Sequence, residues 1–127
     1  MKSKESDSYA TDNWIKDLFS EWFDPCTLSD GELRSFDGLG SSWGEKSFVN
    51  PPYSNPLKWV EKAIKEHEKG KTVVLLLKHD SSTKWYQKLH EAGAKFLMIQ
   101  GRLRHKTGTP APFPSILVIL NKKRREV

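Results

Sequence analysis

The four residues Asn50-Pro51-Pro52-Tyr53 carry the most chemistry in this chain. Consecutive prolines hold the backbone extended and donate no backbone hydrogen bonds, so we expect both proline carbonyls to face outward as fixed acceptors. The side-chain oxygen of Asn50 adds a further acceptor, and the ring of Tyr53 offers a flat stacking surface. Such a group suits methyl transfer from S-adenosylmethionine to a planar amino nitrogen, a reaction that depends on positioning more than on acid–base chemistry. The alternative interpretation is a proline turn that merely ends a strand.

Short strands that alternate with helices must position this segment. Apolar periodicity predicts helices at 14–23, 57–69 and 82–92, strands at 47–50, 72–77, 95–100 and 115–120, and a short element at 33–36. The unalternated apolar run within 72–77 predicts a strand covered on both faces, and Gly70 is expected to cap the carboxyl end of the helix at 57–69. This order predicts an α/β fold with a largely parallel sheet, in which ligands bind at the carboxyl ends of the strands. The site is therefore expected just after Val49.

The composition excludes several classes of protein. The 127 residues fit one domain, expected at 9–121 between a polar, disordered tail at 1–8 and a basic tail at 122–127. The longest apolar run, 73–77, is far shorter than the ~20 residues of a membrane helix, and the amino terminus lacks an apolar signal segment. Cys26 is the only cysteine, which excludes an internal disulfide and favours a reducing cytoplasm, and it is expected to be a small buried residue near the cofactor rather than a nucleophile.

The charge balance favours a polyanionic partner. The chain has 21 basic and 16 acidic residues, a net charge of +5, which is typical of nucleic-acid binding and also of a general solubility charge. The basic residues Arg102, Arg104 and Lys106 form a loop between two strands that suits phosphate contacts or a solvated surface equally well. The four histidines have no metal-ligand spacing, so no metal site is expected.

The order and spacing of several further motifs resembles the phage-type DNA N-6-adenine methyltransferase family (Dam-like). The resemblance runs from about Tyr9 to Leu120, nearly the whole chain. Its combination of motifs is more specific than the Asn-Pro-Pro-Tyr segment alone, which enzymes that methylate protein glutamine or ribosomal RNA share. The other motifs are Tyr9-Ala10-Thr11, Asp24-Pro25-Cys26, Asp37-Gly38-Leu39, Gly101-Arg102-Leu103 and Pro112-Phe113-Pro114-Ser115.

The resemblance implies a compact Rossmann-like methyltransferase sheet flanked by helices, S-adenosylmethionine as cofactor, and adenine N6 in DNA as acceptor. It implies a site-specific, adenine-specific DNA methyltransferase of the phage or restriction–modification kind. In the catalytic motif, Asn50 and the carbonyl of Pro51 hold the amino group, Pro52 completes the motif, and Tyr53 stacks on the extruded base. The implied DNA contacts are Ser54, Arg102, Arg104 and Lys106. The implied cofactor contacts are Tyr9, Thr11, Asp24, Pro25, Cys26, Asp37, Gly38, Leu39 and Asn50.

Two departures from the family pattern keep alternatives open. The glycine-rich Gly-x-Gly loop that is common in methyltransferases is absent, and residues 26–31 stand in its place. No separate target-recognition domain is visible, so sequence specificity must come from loops or from a second subunit in a homo-oligomer, or be weak. The alternatives are an RNA or protein-glutamine methyltransferase with the same motif, and a catalytically weak DNA-binding module.

Overall fold

Four stretches of the chain define the fold. The computed structural model describes residues 13–26, 38–52, 55–99 and 114–121. Predictions for the short element at 33–36 and for the tails at 1–8 and 122–127 lie outside this described part. Predicted and observed bounds agree within two residues for every element except α1. In chain order the elements are α1 (Asn13–Leu18), β1 (Lys46–Val49), α2 (Pro56–Glu68), β2 (Thr72–Lys78), α3 (Lys84–Glu91), β3 (Lys95–Met98) and β4 (Ser115–Leu120).

The described strands form one mixed sheet in the order β1-β2-β4-β3. β1 runs parallel to β2, whereas β4 lies between β2 and β3 and runs antiparallel to both. The prediction of a largely parallel sheet is therefore wrong. β4 is apolar along its whole length and gains more burial inside the sheet than at its edge, while β3, with exposed Leu97 and Met98, takes the edge. β1, β2 and β3 still point the same way, so their carboxyl ends share one edge, here termed the carboxyl edge.

β2 is the centre of the core. Its side chains Val73, Leu75 and Leu77 pack in one cluster with residues of α2 and α3. Val74 and Leu76 point to the opposite face and pack in a second cluster with α1. The prediction of a strand covered on both faces is confirmed.

The two longer helices bury one face each against the sheet. α2 begins at Pro56, whose missing N–H costs nothing in the first turn, and buries Trp59, Val60 and Ala63. Just after this helix Gly70 has a φ of 96°, the left-handed conformation that favours glycine and ends helices, as the sequence predicts. No helix in the described ranges has the length and apolar character needed to span a membrane.

α1 is shorter than the sequence predicts. It ends at Leu18 rather than Phe23, because Phe23 pairs with β1 in extended conformation. The amide of Phe23 donates to the carbonyl of Lys46, and the carbonyl of Phe23 accepts from the amide of Phe48, both at 2.9 Å. This parallel bridge lies on the side of β1 that faces away from β2, and it directs residues 24–26 toward the carboxyl edge.

Glu66 is a fully buried carboxylate at the carboxyl-terminal end of α2. Its oxygens accept from the ammonium groups of Lys62 at 2.8 Å, Lys71 at 2.6 Å and Lys69 at 3.2 Å. They also accept from the backbone amide of Trp43 at 3.1 Å. Burial by itself raises the pKa of the Glu66 carboxyl, but these hydrogen bonds outweigh it and hold the pKa well below its ordinary value.

We expect Glu66→Gln to lower the free energy of unfolding by about 2–3 kcal/mol near pH 7. The three lysines lose their counter-charge, and the effect stays below the full cost of breaking a buried pair because Lys69 is half exposed. Since the folded-state pKa is lowered, the contribution of Glu66 is complete above the unfolded-state pKa of about 4.3 and is lost as pH falls toward the folded-state value. In urea denaturation, wild-type stability should fall more steeply than that of Glu66→Gln between about pH 5 and pH 3.

Glu61→Gln is the matched control for this prediction. Glu61 lies on the same helix and pairs with Lys88 at 3.7 Å on the surface, so its replacement should change stability by less than about 0.5 kcal/mol. Equal pH slopes for the wild type and Glu66→Gln would contradict a lowered pKa for Glu66.

Candidate active site at the carboxyl edge

Two of the predicted segments meet at the carboxyl edge. Asn50 and Pro51 directly follow β1, and the parallel bridge between Phe23 and Ser47 places residues 24–26 beside them. Parallel strands end at the same edge of a sheet, so the two segments leave it together. The predicted catalytic segment and the first predicted cofactor segment are therefore neighbours.

The first cofactor segment is a compact turn. Oδ1 of Asp24 accepts a hydrogen bond from the amide of Cys26 at 3.0 Å, which is the local side-chain-to-backbone bond of an Asx turn. Asp24 is exposed, whereas Pro25 and Cys26 are buried. The prediction that Cys26 is a small buried residue is confirmed. The turn thus presents its carboxylate side chain at the surface of the carboxyl edge.

Gly38 packs closely against this turn. A Cβ at this position would lie 2.6 Å from Cη2 of Trp59 and would collide with the carbonyl oxygen of Pro25, so only glycine fits without a shift. The carbonyl of Gly38 accepts a hydrogen bond from Nε1 of Trp43 at 2.7 Å. The structure therefore brings together Pro25 and Gly38, residues from two separate motifs that were both predicted to contact the cofactor.

Leu39 lies on the other side of this contact. It is half buried against the core and also lines an open groove of about 740 Å³ between α2 and α3, among lysine and glutamate side chains. Its assignment to the cofactor stays a prediction.

Pro51 lines a cavity of about 260 Å³ on the β2 side of the catalytic segment. Small-molecule sites commonly measure roughly 300–1,000 Å³, so this smaller cavity suits a single planar ring system rather than a whole nucleotide. The indole of Trp85, at the start of α3, forms part of its wall, and its lining is mostly apolar. The lining residues are Pro51, Pro56, Leu76, Leu77, Lys78, Thr83 and Trp85.

One expectation for the proline pair is wrong. The carbonyl of Pro52 accepts a hydrogen bond from the amide of Asn55 at 3.2 Å, so it does not face outward as a fixed acceptor for a ligand. The amide of the residue before α2 thus satisfies this carbonyl within the protein. Asn50 and the carbonyl of Pro51 stay the predicted acceptors.

The connection from β3 to β4 begins and ends at the same edge. The carbonyl of Pro114, the residue before β4, accepts a hydrogen bond from the amide of His79, the residue after β2, at 3.0 Å. The end of the connection at Pro114 is therefore bonded to the residue that follows β2, and its other end follows β3 at the same edge. This segment contains the predicted DNA-binding residues Arg102, Arg104 and Lys106.

Several predicted site residues lie outside the described part of the chain, and their roles stay predictions. Among the residues that the structure does describe, no group of three His, Cys, Asp or Glu side chains comes together as a metal site. The undescribed predicted site residues are Tyr9, Thr11, Asp37, Tyr53, Ser54, Arg102, Arg104 and Lys106.

Sequence reasoning missed three residues that form or support this site. Lys78 and Trp85 line the cavity, and Trp43 holds the carbonyl of Gly38. The available signal for Lys78 was its place at the carboxyl end of a buried strand, where α/β domains bind ligands. For Trp43 the signal was the Trp43-Gly44 segment, which accompanies Asp37-Gly38-Leu39 in the family resemblance, but its contact with Gly38 depends on how the loop between them closes.

The fold and the site together define an α/β domain whose candidate ligand contacts gather where parallel strands end. A family model described as DNA N-6-adenine-methyltransferase (Dam) matches residues 34–123. The chain belongs to this family, and the resemblance inferred from its motifs is confirmed. The match includes Gly38 and the segment from Asn50 to Tyr53, and it begins after residues 24–26.

Two phage proteins are similar to this chain. The DNA N-6-adenine-methyltransferase of Haemophilus phage HP1 (strain HP1c1) is 34% identical over 99 residues, covering 67% of this chain and 57% of that protein. The DNA N-6-adenine-methyltransferase of Escherichia phage T1 is 36% identical over 63 residues, covering 48% of this chain and 26% of that protein. The chain thus matches little more than half of one relative and about a quarter of the other. No solved structure matches it.

We expect Gly38→Ala to destabilise the protein by about 1–3 kcal/mol in urea denaturation, because the new methyl group must displace Trp59 or the backbone of Pro25. The displaced turn should also uncover the thiol of Cys26, which is buried in the folded protein. Cys26 should therefore react faster with a thiol reagent in the variant than in the wild type.

Gly70→Ala is the control for this substitution. Gly70 has a positive φ but nothing within 4 Å of an added Cβ, so the cost is backbone strain alone, about 1 kcal/mol. Gly70→Ala should leave the thiol of Cys26 as slow to react as in the wild type. An unchanged thiol reactivity in Gly38→Ala would show that Gly38 does not hold the turn.

Proposed function

We propose that this chain is a cytoplasmic, adenine-specific DNA methyltransferase that transfers a methyl group from S-adenosylmethionine to adenine N6 on a Rossmann-like sheet. The main support is the position of Asn50 and Pro51 between two features of the carboxyl edge. Residues 24–26 and Gly38 lie on one side of β1, and the cavity lined by Pro51 lies on its β2 side. Methyl transfer needs the donor and the acceptor to be held in line with each other, and a segment that lies next to both sites can help to align them. The names of the two phage relatives support the same activity.

The residues on the outer side of β1 fit the methyl donor. S-adenosylmethionine supplies an electrophilic methyl group on a sulfonium and carries an ammonium group and ribose hydroxyls as hydrogen-bond donors. The exposed carboxylate of Asp24 is an acceptor for such donors, and the buried backbone of Pro25 and Gly38 gives it a firm base. Further contacts come from the residues that the resemblance assigns: Tyr9, Thr11, Cys26, Asp37, Leu39 and Asn50.

The cavity beside Pro51 takes the adenine ring in this proposal. The base must leave the double helix for its amino nitrogen to reach the methyl group. Asn50 and the carbonyl of Pro51 accept hydrogen bonds from the amino group, Tyr53 stacks on the ring, and Trp85 contributes to the wall of the cavity. The N6 lone pair forms a bond to the methyl carbon as the carbon–sulfur bond breaks, and an amino proton passes to solvent.

We expect Asn50→Ala to lower kcat by about 10²–10³, the range for removing one positioned polar group at a reacting centre. Tyr53→Ala should lose about 1–3 kcal/mol of base stacking, whereas Tyr53→Phe keeps the ring and should act like the wild type. The measurement is the initial rate of labelled methyl incorporation into DNA, with mass spectrometry of the nucleosides and Tm values alongside.

Asn121→Ala is the matched control, because Asn121 is exposed and follows β4 at the opposite edge of the sheet. It should change neither rate nor Tm. Normal methylation in Asn50→Ala together with a lower Tm would identify the segment as a structural turn. Methyl groups found in RNA or on protein glutamine would indicate the alternative substrates. DNA binding with neither methylation nor cofactor binding would indicate a DNA-binding module.

The basic connection is the segment 100–113 between β3 and β4, and DNA binding by this segment should weaken as the salt concentration rises. Each phosphate contact contributes about 0.9 to the slope of log affinity against log salt concentration, so replacing Arg102, Arg104 and Lys106 by Ala should flatten this slope by up to about 3. The matched control removes the same charge from Lys58, Lys65 and Lys88, which are exposed along the groove between α2 and α3. If both triple variants show the same slope, the basic connection makes no phosphate contacts.

A further inference from the structure

We infer that Trp43 is a positioning residue for the cofactor segment, defined here as residues 24–26 together with Gly38. Trp43 connects this segment to the buried Glu66 cluster and so sets the affinity for the methyl donor without touching the reacting atoms. The inference rests on the proposed function, because it concerns the donor site of the same reaction.

The backbone of Trp43 is held on both sides of its α-carbon. Its amide donates to Oε1 of Glu66 at 3.1 Å, and its carbonyl accepts from Nζ of Lys71 at 2.6 Å. The same ammonium group of Lys71 donates to Oε1 of Glu66 at 2.6 Å. Trp43, Lys71 and Glu66 thus form a closed set of hydrogen bonds within the core, and the backbone at Trp43 has little freedom to move.

The side chain of Trp43 extends from this restrained backbone toward the carboxyl edge. The indole is 4% exposed and stacks on Trp59 with ring centroids 6.3 Å apart. Its Nε1–H donates to the carbonyl of Gly38 at 2.7 Å. A buried N–H without an acceptor is costly, so the indole and the carbonyl of Gly38 hold each other in place.

Gly38 in turn restrains the position of the turn at residues 24–26. Its α-carbon approaches the carbonyl oxygen of Pro25 so closely that no side chain fits between them. Pro25 lies within the turn that the bond between Asp24 and Cys26 closes. A shift of the indole therefore displaces Gly38 and, through it, the carboxylate of Asp24. Asn50 and Pro51 follow β1 instead and do not depend on this chain of contacts.

The test is Trp43→Phe, which keeps an aromatic ring against Trp59 but removes the N–H that holds Gly38. We expect the Kd for S-adenosylhomocysteine, measured by calorimetry, to rise about five- to tenfold, the effect of one lost buried hydrogen bond. The KM for S-adenosylmethionine should rise in parallel. At saturating donor, kcat and the KM for DNA should stay within about twofold of wild type, because the segment at Asn50 is unaffected.

Leu120→Val is the matched control, since Leu120 is buried in β4 at the opposite edge and its truncation lowers Tm without reaching the turn. It should leave the Kd for S-adenosylhomocysteine unchanged. If Trp43→Phe does not fold, Lys71→Met removes one of the two backbone contacts of Trp43 and should raise the same Kd by a smaller factor. If the wild type binds S-adenosylhomocysteine and the Trp43 or Lys71 variant binds it with the same Kd, the inference is overturned but the proposed function is not. A wild type that binds no S-adenosylhomocysteine overturns the proposed function and the inference with it.

Discussion

The buried carboxylate of Glu66 constrains more of this structure than any other side chain in its described part. A carboxylate without access to water is tolerated only when its charge and its lone pairs are matched. Lys62 and Lys69 reach it from α2 and the turn after it, Lys71 reaches it from the approach to β2, and Trp43 donates from the loop before β1. The helix, the approach to the central strand and the loop therefore share one electrostatic requirement, and a shift of any of them removes a hydrogen bond from the buried carboxylate.

The reversed direction of β4 determines what gathers at the carboxyl edge. In a parallel sheet the chain leaves each strand at one edge and must return to the other edge before the next strand. Because β4 is antiparallel to β2 and β3, the chain returns at the carboxyl edge itself, where Pro114 bonds to His79. The connection between β3 and β4, which contains the predicted DNA-binding residues, therefore starts and ends at the edge that carries Asn50. The sequence did not predict the strand direction that brings both ends of this connection to one edge.

The sequence predicted the features that depend on neighbouring residues and missed those that depend on contacts between residues far apart in the chain. The apolar run of β2, the glycine after α2 and the position of Asn50 at a strand end depend on neighbouring residues, and each agrees with the structure. Phe23 pairs with β1 although its segment has a helical periodicity, because hydrogen bonding to a strand is a tertiary interaction that local periodicity does not predict. The contact of Trp43 with Gly38 and the burial of Glu66 are equally non-local. From the sequence alone, a glutamate on an amphipathic helix is expected to be exposed, because the lysines that pair with Glu66 approach it only in the folded protein.

These non-local contacts bear directly on the proposed group transfer. The proposed transfer needs no strong acid or base, so rate depends on holding donor and acceptor in line. The described site accordingly contains few charged side chains and many backbone contacts: the turn closed by Asp24 and Cys26, the close approach of Gly38 to Pro25, and the buried Pro51. Backbone held by the core loses little entropy when a ligand binds, whereas flexible surface side chains must be ordered at that moment. A fixed backbone at the ends of β1 and its neighbours therefore supplies part of the positioning that the proposed transfer requires.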